Sequence, residues 1–155
     1  MDKKRLLIVA HAPSNNTRTL AEAALRGARH PDLTAVEAIW KLPLETQPED
    51  VLAADGILLG TTENLAYMAG AMKDFFDRCY YPVLEKKQGL PCAVYIRAGH
   101  DGTGTKKALE TILTGLRSKL VQDIVICRGD WQEAFVDQCE ELGLTLAAGL
   151  DAGIY

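Results

Sequence analysis

The sequence predicts an α/β fold: a three-layer sandwich in which a five-stranded parallel sheet of order 2-1-3-4-5 lies between two sets of helices. Three observations lead there. Apolar runs alternate with amphipathic helical stretches from one end of the chain to the other. The runs Leu6-Leu7-Ile8-Val9-Ala10, Gly56-Ile57-Leu58-Leu59-Gly60 and Cys92-Ala93-Val94-Tyr95-Ile96 are apolar on both faces, as strands buried within a parallel sheet are. At 155 residues the chain has the length for one such domain, residues 1–155, with a sizeable core.

Each element has its own signal. The first strand, residues 6–10, is stopped by Pro13 and the run Ser14-Asn15-Asn16-Thr17, whose side chains favour turns. Thr19-Leu20-Ala21-Glu22-Ala23-Ala24-Leu25 restarts the chain as a helix, with Asn16 or Thr17 as the expected N-cap. Residues 33–40 alternate apolar and polar like an edge strand, and Pro43 and Pro48 mark a loop ending in a short helical turn. After the third strand, residues 66–86 read as one long helix. Its Met68, Met72, Phe75, Phe76, Cys79 and Val83 recur at helical spacing, and Pro82 ends or bends it. Gly89 and Pro91 turn the chain into the fourth strand. A glycine-rich loop then precedes a helix with Leu109, Ile112, Leu113 and Leu116 on one face. Residues 121–127 form the fifth strand. The last helix begins near Asp130 or Trp131 and turns Phe135, Cys139, Leu142 and Leu146 inward.

Composition narrows the function classes. A net charge of −4 argues against nucleic acid as a partner, because phosphate backbones require a basic surface. No apolar run approaches the roughly 18 residues that span a bilayer, so membrane insertion is not expected. The opening Met1-Asp2-Lys3-Lys4-Arg5 carries no signal-peptide pattern, which places the expected location in the cytoplasm. Cys79, Cys92, Cys127 and Cys139 form no CxxC pair and sit in apolar surroundings, as buried thiols do.

In an open parallel sheet, ligands bind beyond the C-terminal ends of the strands, at the switch point between the first and third. That rule selects three loops, residues 11–17, 61–67 and 97–105. The first lacks both GxxxxGK[ST] and GxGxxG. It offers the Ser14, Thr17 and Thr19 hydroxyls, the Asn15 and Asn16 amides and the free N–H groups of a helix N-terminus. This donor set suits a single phosphate held by neutral groups; it is equally that of an ordinary strand-to-helix turn. His11 and His100 both end strands, with Asp101 nearby, but no HxH or HExxH spacing supports a metal site.

The run Gly60-Thr61-Thr62-Glu63-Asn64-Leu65-Ala66-Tyr67-Met68-Ala69-Gly70-Ala71-Met72-Lys73-Asp74-Phe75-Phe76-Asp77 resembles the second flavin loop of flavodoxin-like NAD(P)H:quinone oxidoreductases and NADPH-dependent FMN reductases. Those proteins carry Gly-Thr-Pro, then Met-Ala-Gly-x-Met-[Lys/Arg]-x-Phe-x-Asp, and Met68, Ala69, Gly70, Met72, Lys73, Phe75 and Asp77 match. Ser14, Asn16 and Thr17 match the Ser-x-Thr-Gly-Asn-Thr phosphate loop of flavodoxins. The departures are Ala12 for its first serine, Asn15 for its glycine, Pro13 with no N–H to donate, Thr62 for proline, and Leu65 for an aromatic.

The resemblance implies FMN as cofactor and NAD(P)H as co-substrate, with electrons passed to a quinone or similar small acceptor, or to a redox partner protein. It implies that His11, Ser14, Asn15, Asn16 and Thr17 surround the flavin phosphate. Thr61, Thr62, Glu63, Asn64, Leu65, Ala66 and Tyr67 would run beside the isoalloxazine ring. Ala98, Gly99, His100, Gly102 and Gly104 would approach it closely, with His100 or Tyr67 stacking on it. No catalytic side chain is implied, since the flavin carries the chemistry. A homodimer or homotetramer is also implied, with Phe75, Phe76, Tyr80 and Tyr81 as surface for pairing. Two alternatives stay open: a one-electron carrier of flavodoxin type, and a flavodoxin-like module without tight FMN binding. A receiver domain shares the strand order but needs acidic residues where His11-Ala12 and Gly60-Thr61 stand.

Overall fold

The computed structural model describes residues 2–155. The first strand, β1 (Lys4–Ala10), runs parallel to β2 (Val36–Lys41) on one side and β3 (Gly56–Asn64) on the other. Next to β3 lies β5 (Pro91–Ala98), also parallel. Between β3 and β5 in the chain comes β4 (Tyr67–Met68), which pairs antiparallel with the end of β3. The far edge of β5 carries two short parallel segments, β6 (Lys119–Leu120) and β7 (Val125–Arg128).

The sheet therefore has seven strands rather than the five expected, with a main path β2-β1-β3-β5-β6. The expected fifth strand, residues 121–127, is the point of departure. β6 pairs with Pro91 and Cys92, and β7 with Tyr95 through Ala98, so both occupy the one edge of β5 that β3 leaves free. Polar Gln122 and Asp123 sit in the break between them, exposed at the rim of the sheet.

Alternation along the strands sorts the core into two halves. Leu6, Ile8, Ala10, Leu58, Ala93 and Tyr95 face α1 (Asn15–Ala28) and α5 (Glu133–Asp151). Leu7, Val9, Ile57, Leu59, Val94 and Ile96 face α2 (Pro48–Leu52), α3 (Gly70–Val83) and α4 (Thr103–Gly115). Central strands buried on both faces explain the continuous apolar runs.

Helix boundaries shift for local reasons. The stretch 66–86 is not one helix, since Tyr67 and Met68 fold back onto Asn64 and Glu63 and α3 begins only at Gly70. Pro82 sits in the last turn of α3, where it ends the helix without breaking it. The N-cap of α1 is Ser14, not Asn16 or Thr17, and the helix starts earlier than the Thr19 run. β2 begins at Val36 rather than 33, and α5 at Glu133 rather than at Asp130 or Trp131. Phe75 and Phe76 are core residues, so they leave Tyr81, with part of Tyr80, as the exposed aromatics of α3.

α1 and α5 cross in backbone contact. A Cβ at Gly143 would lie 2.0 Å from the Ala24 carbonyl oxygen, and one at Gly27 would lie 1.9 Å from that of Glu140. Backbone cannot swing aside as a flexible side chain does, so Gly143→Ala must push the helices apart. A loss of about 1–3 kcal/mol is expected from overpacking. Urea unfolding measures it, with Gly70→Ala, where an added Cβ meets nothing within 4 Å, as the neutral control.

Candidate functional site

Parallel strands that end together bring the three loops to the same edge of the sheet. His11 N–H donates to the Gly60 carbonyl at 2.9 Å, tying the first loop to β3. The first loop then turns into α1 through a reciprocal cap. Thr17 N–H donates to Ser14 Oγ at 3.2 Å, and Ser14 N–H donates to Thr17 Oγ1 at 2.9 Å. The two hydroxyls also touch each other at 2.9 Å. Ser14 and Thr17 thus satisfy one another. Among the described residues, the Asn15 and Asn16 main-chain N–H groups at the start of α1 have no protein acceptor. Both lie at the positive end of the helix dipole and are exposed. The donor set suits one phosphate: two free amides and the exposed Ser14 hydroxyl, with Thr17 buried behind them, its Oγ1 also donating to the Ser14 carbonyl at 3.0 Å.

The second segment is a hairpin rather than an open loop. β3 continues through Thr61, Thr62, Glu63 and Asn64, and Tyr67 and Met68 return alongside. The two residues at the tip, Leu65 and Ala66, have φ of 53° and 64°, the left-handed pair that a type I′ turn requires. Such turns are ordinarily made by Asn-Gly, and a Cβ there costs roughly 1–2 kcal/mol per residue. Leu65 is fully exposed at the tip. Below it, Thr61 Oγ1 accepts from Ala69 N–H at 3.2 Å and fixes the base of the hairpin to the start of α3. Thr62 donates its hydroxyl to Asn64 Oδ1 at 2.6 Å.

The third segment, Ala98 to Gly104, locks onto the hairpin. Gly102 N–H donates to the Glu63 carboxylate at 2.6 Å. A Cβ at Gly104 would lie 2.7 Å from the Ala66 carbonyl oxygen, so this glycine lets α4 meet the hairpin tip. Gly102 is the N-cap of α4, with φ of 77°. Two of the three glycines expected to face a ligand therefore face neighbouring protein. Gly99 does have open space, with nothing within 4 Å of an added Cβ. His100 is exposed beside it, and Ala98 is buried beneath.

Sequence reasoning gives no role to three residues at this edge. Arg97 donates from Nη1 to the carbonyls of Ala98 at 2.9 Å and Cys127 at 3.0 Å, with its guanidinium 5.0 Å from the Phe135 ring centroid. Trp40 reaches the Ala10 carbonyl at the end of β1, and the Arg18 guanidinium lies over its indole. A cation ending an otherwise apolar strand was the available signal for Arg97, and a cation four residues past Ser14 the one for Arg18.

Two of the cysteines are held as thiols. Cys79 is buried on α3 and lines an apolar crevice with Phe75, Leu113 and Leu116; burial pushes its thiol up to about 11. Burial likewise pushes Cys92 up to about 12. No group of three metal-binding side chains occurs among the described residues, and none of their helices is long and apolar enough to cross a membrane.

These features define a flavodoxin-like α/β sandwich with its loops gathered at the switch point. Over residues 4–132 the chain matches the NADPH-dependent FMN reductase family, and it belongs to that family. It is 31% identical to a flavodoxin of Aquifex aeolicus (strain VF5) over 112 residues, which is 72% of this chain and 60% of that relative. A flavodoxin from the domain Archaea has the same fold at a TM-score of 0.79 and 17% identity, covering 94% of this chain and 98% of its own. The two-electron reduced flavodoxin of Megasphaera elsdenii gives 0.76 and 18%, covering 92% and 98%.

Two outcomes follow from this geometry. Ala66→Gly removes a left-handed Cβ and should stabilise the protein by about 0.5–1 kcal/mol, after allowance for the greater freedom of glycine in the unfolded chain. A higher urea midpoint checks it. Burial holds the His11 imidazole below its ordinary value, so the folded chain resists protonation more than the unfolded chain does. Stability should therefore fall as pH drops through about 6.5 towards the lower folded value. His11→Asn should flatten that part of the stability–pH curve.

Proposed function

We propose that this chain is an FMN-dependent NAD(P)H oxidoreductase that delivers electrons to a quinone or similar small acceptor. The Asn15 and Asn16 main-chain amides would hold the flavin phosphate, joined by the Ser14 hydroxyl as it turns from Thr17 to the ligand, with His11 at the root of the loop. The hairpin from Thr61 to Tyr67 would flank the ring with backbone groups, which keep their geometry whatever the cofactor's redox state. Bound FMN supplies the hydride and electron transfer, so no side chain need act as nucleophile or acid. The buried Cys79 and Cys92, held as thiols, stay out of the reaction.

The observation that carries the reductase reading is the bare rim at Gly99. Hydride transfer requires two rings in face-to-face contact. A third loop with no bulky side chain at Gly99 leaves space for a nicotinamide beside the flavin, with the exposed Tyr67 and His100 at its borders. The one-electron carrier is the second reading, favoured by the likeness to the Aquifex flavodoxin. Subunit pairing through Tyr80 and Tyr81, whose rings meet edge-on at 5.2 Å, belongs to the same proposal.

Three measurements test it. The purified protein, or the protein after addition of FMN, should show a bound-flavin visible spectrum; a colourless protein that leaves added FMN free overturns the flavin reading. NADH or NADPH should then reduce the bound flavin within milliseconds to seconds in stopped flow. Reduction by dithionite but not by either nucleotide would make it a carrier. Light scattering should give a mass above that of one chain.

A further inference from the structure

On the β2 side of the first loop, an arginine of the second turn of α1 is held over an indole. Trp40, near the end of β2, donates its indole Nε1–H to the Ala10 carbonyl at 3.1 Å. Ala10 is the last residue of β1, so the indole is fixed to the root of the loop. The Arg18 guanidinium lies over that indole, its carbon 5.9 Å from the ring centroid. A cation against an aromatic face is attracted by the ring quadrupole and restrained by it.

Two features, its lack of a polar protein partner among the described residues and its place one turn from the N-cap, mark Arg18 apart from Arg26 and the C-cap Arg29, which are also exposed. Arg26 is paired with Glu140 at 3.1 Å, and Arg29 donates from two nitrogens to the Ala38 carbonyl at 3.1 and 3.0 Å. Arg18 is exposed, and among the described residues no carboxylate, Glu22 one turn on included, lies within ion-pair distance of it. It stands four residues after the N-cap Ser14, hence on the same face of the helix. Helical side chains lean towards the N-terminus, which directs its stem towards the first turn of α1.

We propose that Arg18 is the charged member of the phosphate cradle, binding the flavin's phosphate monoester directly, and that Trp40 positions it. This rests on the flavin reading above and adds to it what selects the ligand. The guanidinium offers paired N–H donors to phosphate oxygens, which main-chain amides alone do not match in strength. It also replaces the donor that Pro13 withholds. The cradle then discriminates a phosphorylated flavin from a neutral one.

The test is titration of the apoprotein with FMN and with riboflavin, followed by flavin fluorescence at low and high salt. Wild type should bind FMN with an affinity that weakens as salt rises. Arg18→Ala should weaken FMN binding about ten- to a hundredfold, the range for losing a hydrogen bond to a charged group. The same change should flatten the salt dependence and leave riboflavin binding within about twofold of wild type. Arg18→Lys should recover part of the FMN affinity, and Trp40→Phe should lose part of it with no loss for riboflavin.

Unchanged FMN affinity in Arg18→Ala overturns the assignment while leaving the flavin reading intact. So does an equal loss for FMN and riboflavin, or a salt dependence that survives the substitution. Competition in wild type by the 2′-phosphate of NADPH, but not by inorganic phosphate, would also overturn it, since Arg18 would then serve the nucleotide. A wild-type protein that binds no FMN overturns both readings together.

Discussion

The position of the first loop depends on how closely two helices approach. α1 and α5 meet at Gly27 and Gly143, where each helix presses against a carbonyl of the other. Backbone contact of this kind leaves little freedom to slide or rotate, because interiors pack at near-crystalline density and a displaced helix opens voids. α1 must then hold one place above β1 and β2. Its N-terminal turn follows, and with it the direction in which the Asn15 and Asn16 amides point. A contact at the far side of the layer thus sets the geometry of the first loop at the sheet edge.

The hairpin and the third loop constrain each other in the same spirit, by polar and steric contact together. Glu63 reaches the Gly102 amide, and Gly104 makes room for the Ala66 carbonyl. The strained Leu65–Ala66 turn persists because its neighbours fix the chain on both sides: Thr61 at its base and α4 at its tip. Strain retained at a loop cluster, with its support in the surrounding structure, is the pattern expected where a ligand is to be met by preset backbone.

Much of this was legible in the chain. Apolar runs located the central strands, since a strand buried on both faces has no polar positions to blur it. The amphipathic stripe of α5 places Phe135, Cys139, Leu142 and Leu146 inside, as they are, and that of α4 places Leu109 and Leu113 there, with Ile112 and Leu116 only half-buried. The Met68–Asp77 pattern pointed to the right family. What escaped was decided by non-local contact. Nothing local in Leu65-Ala66 suggests a type I′ turn, because neither residue favours positive φ; the fold imposes it. The split of the last strand into β6 and β7 depends on which residues of β5 remain unpaired. The glycine-rich spacing marks Gly102 and Gly104 as sites of close approach, but only the fold shows that protein packs against them. Arg18 and Trp40 lie far apart in sequence and are joined only by the parallel pairing of β1 with β2.

The reciprocal cap between Ser14 and Thr17 ties the fate of each residue to the other. The two side chains close on each other, so the cap leaves neither hydroxyl without a partner within the protein. The turn into α1 is therefore held by the chain's own side chains, and a change at either residue strands the other.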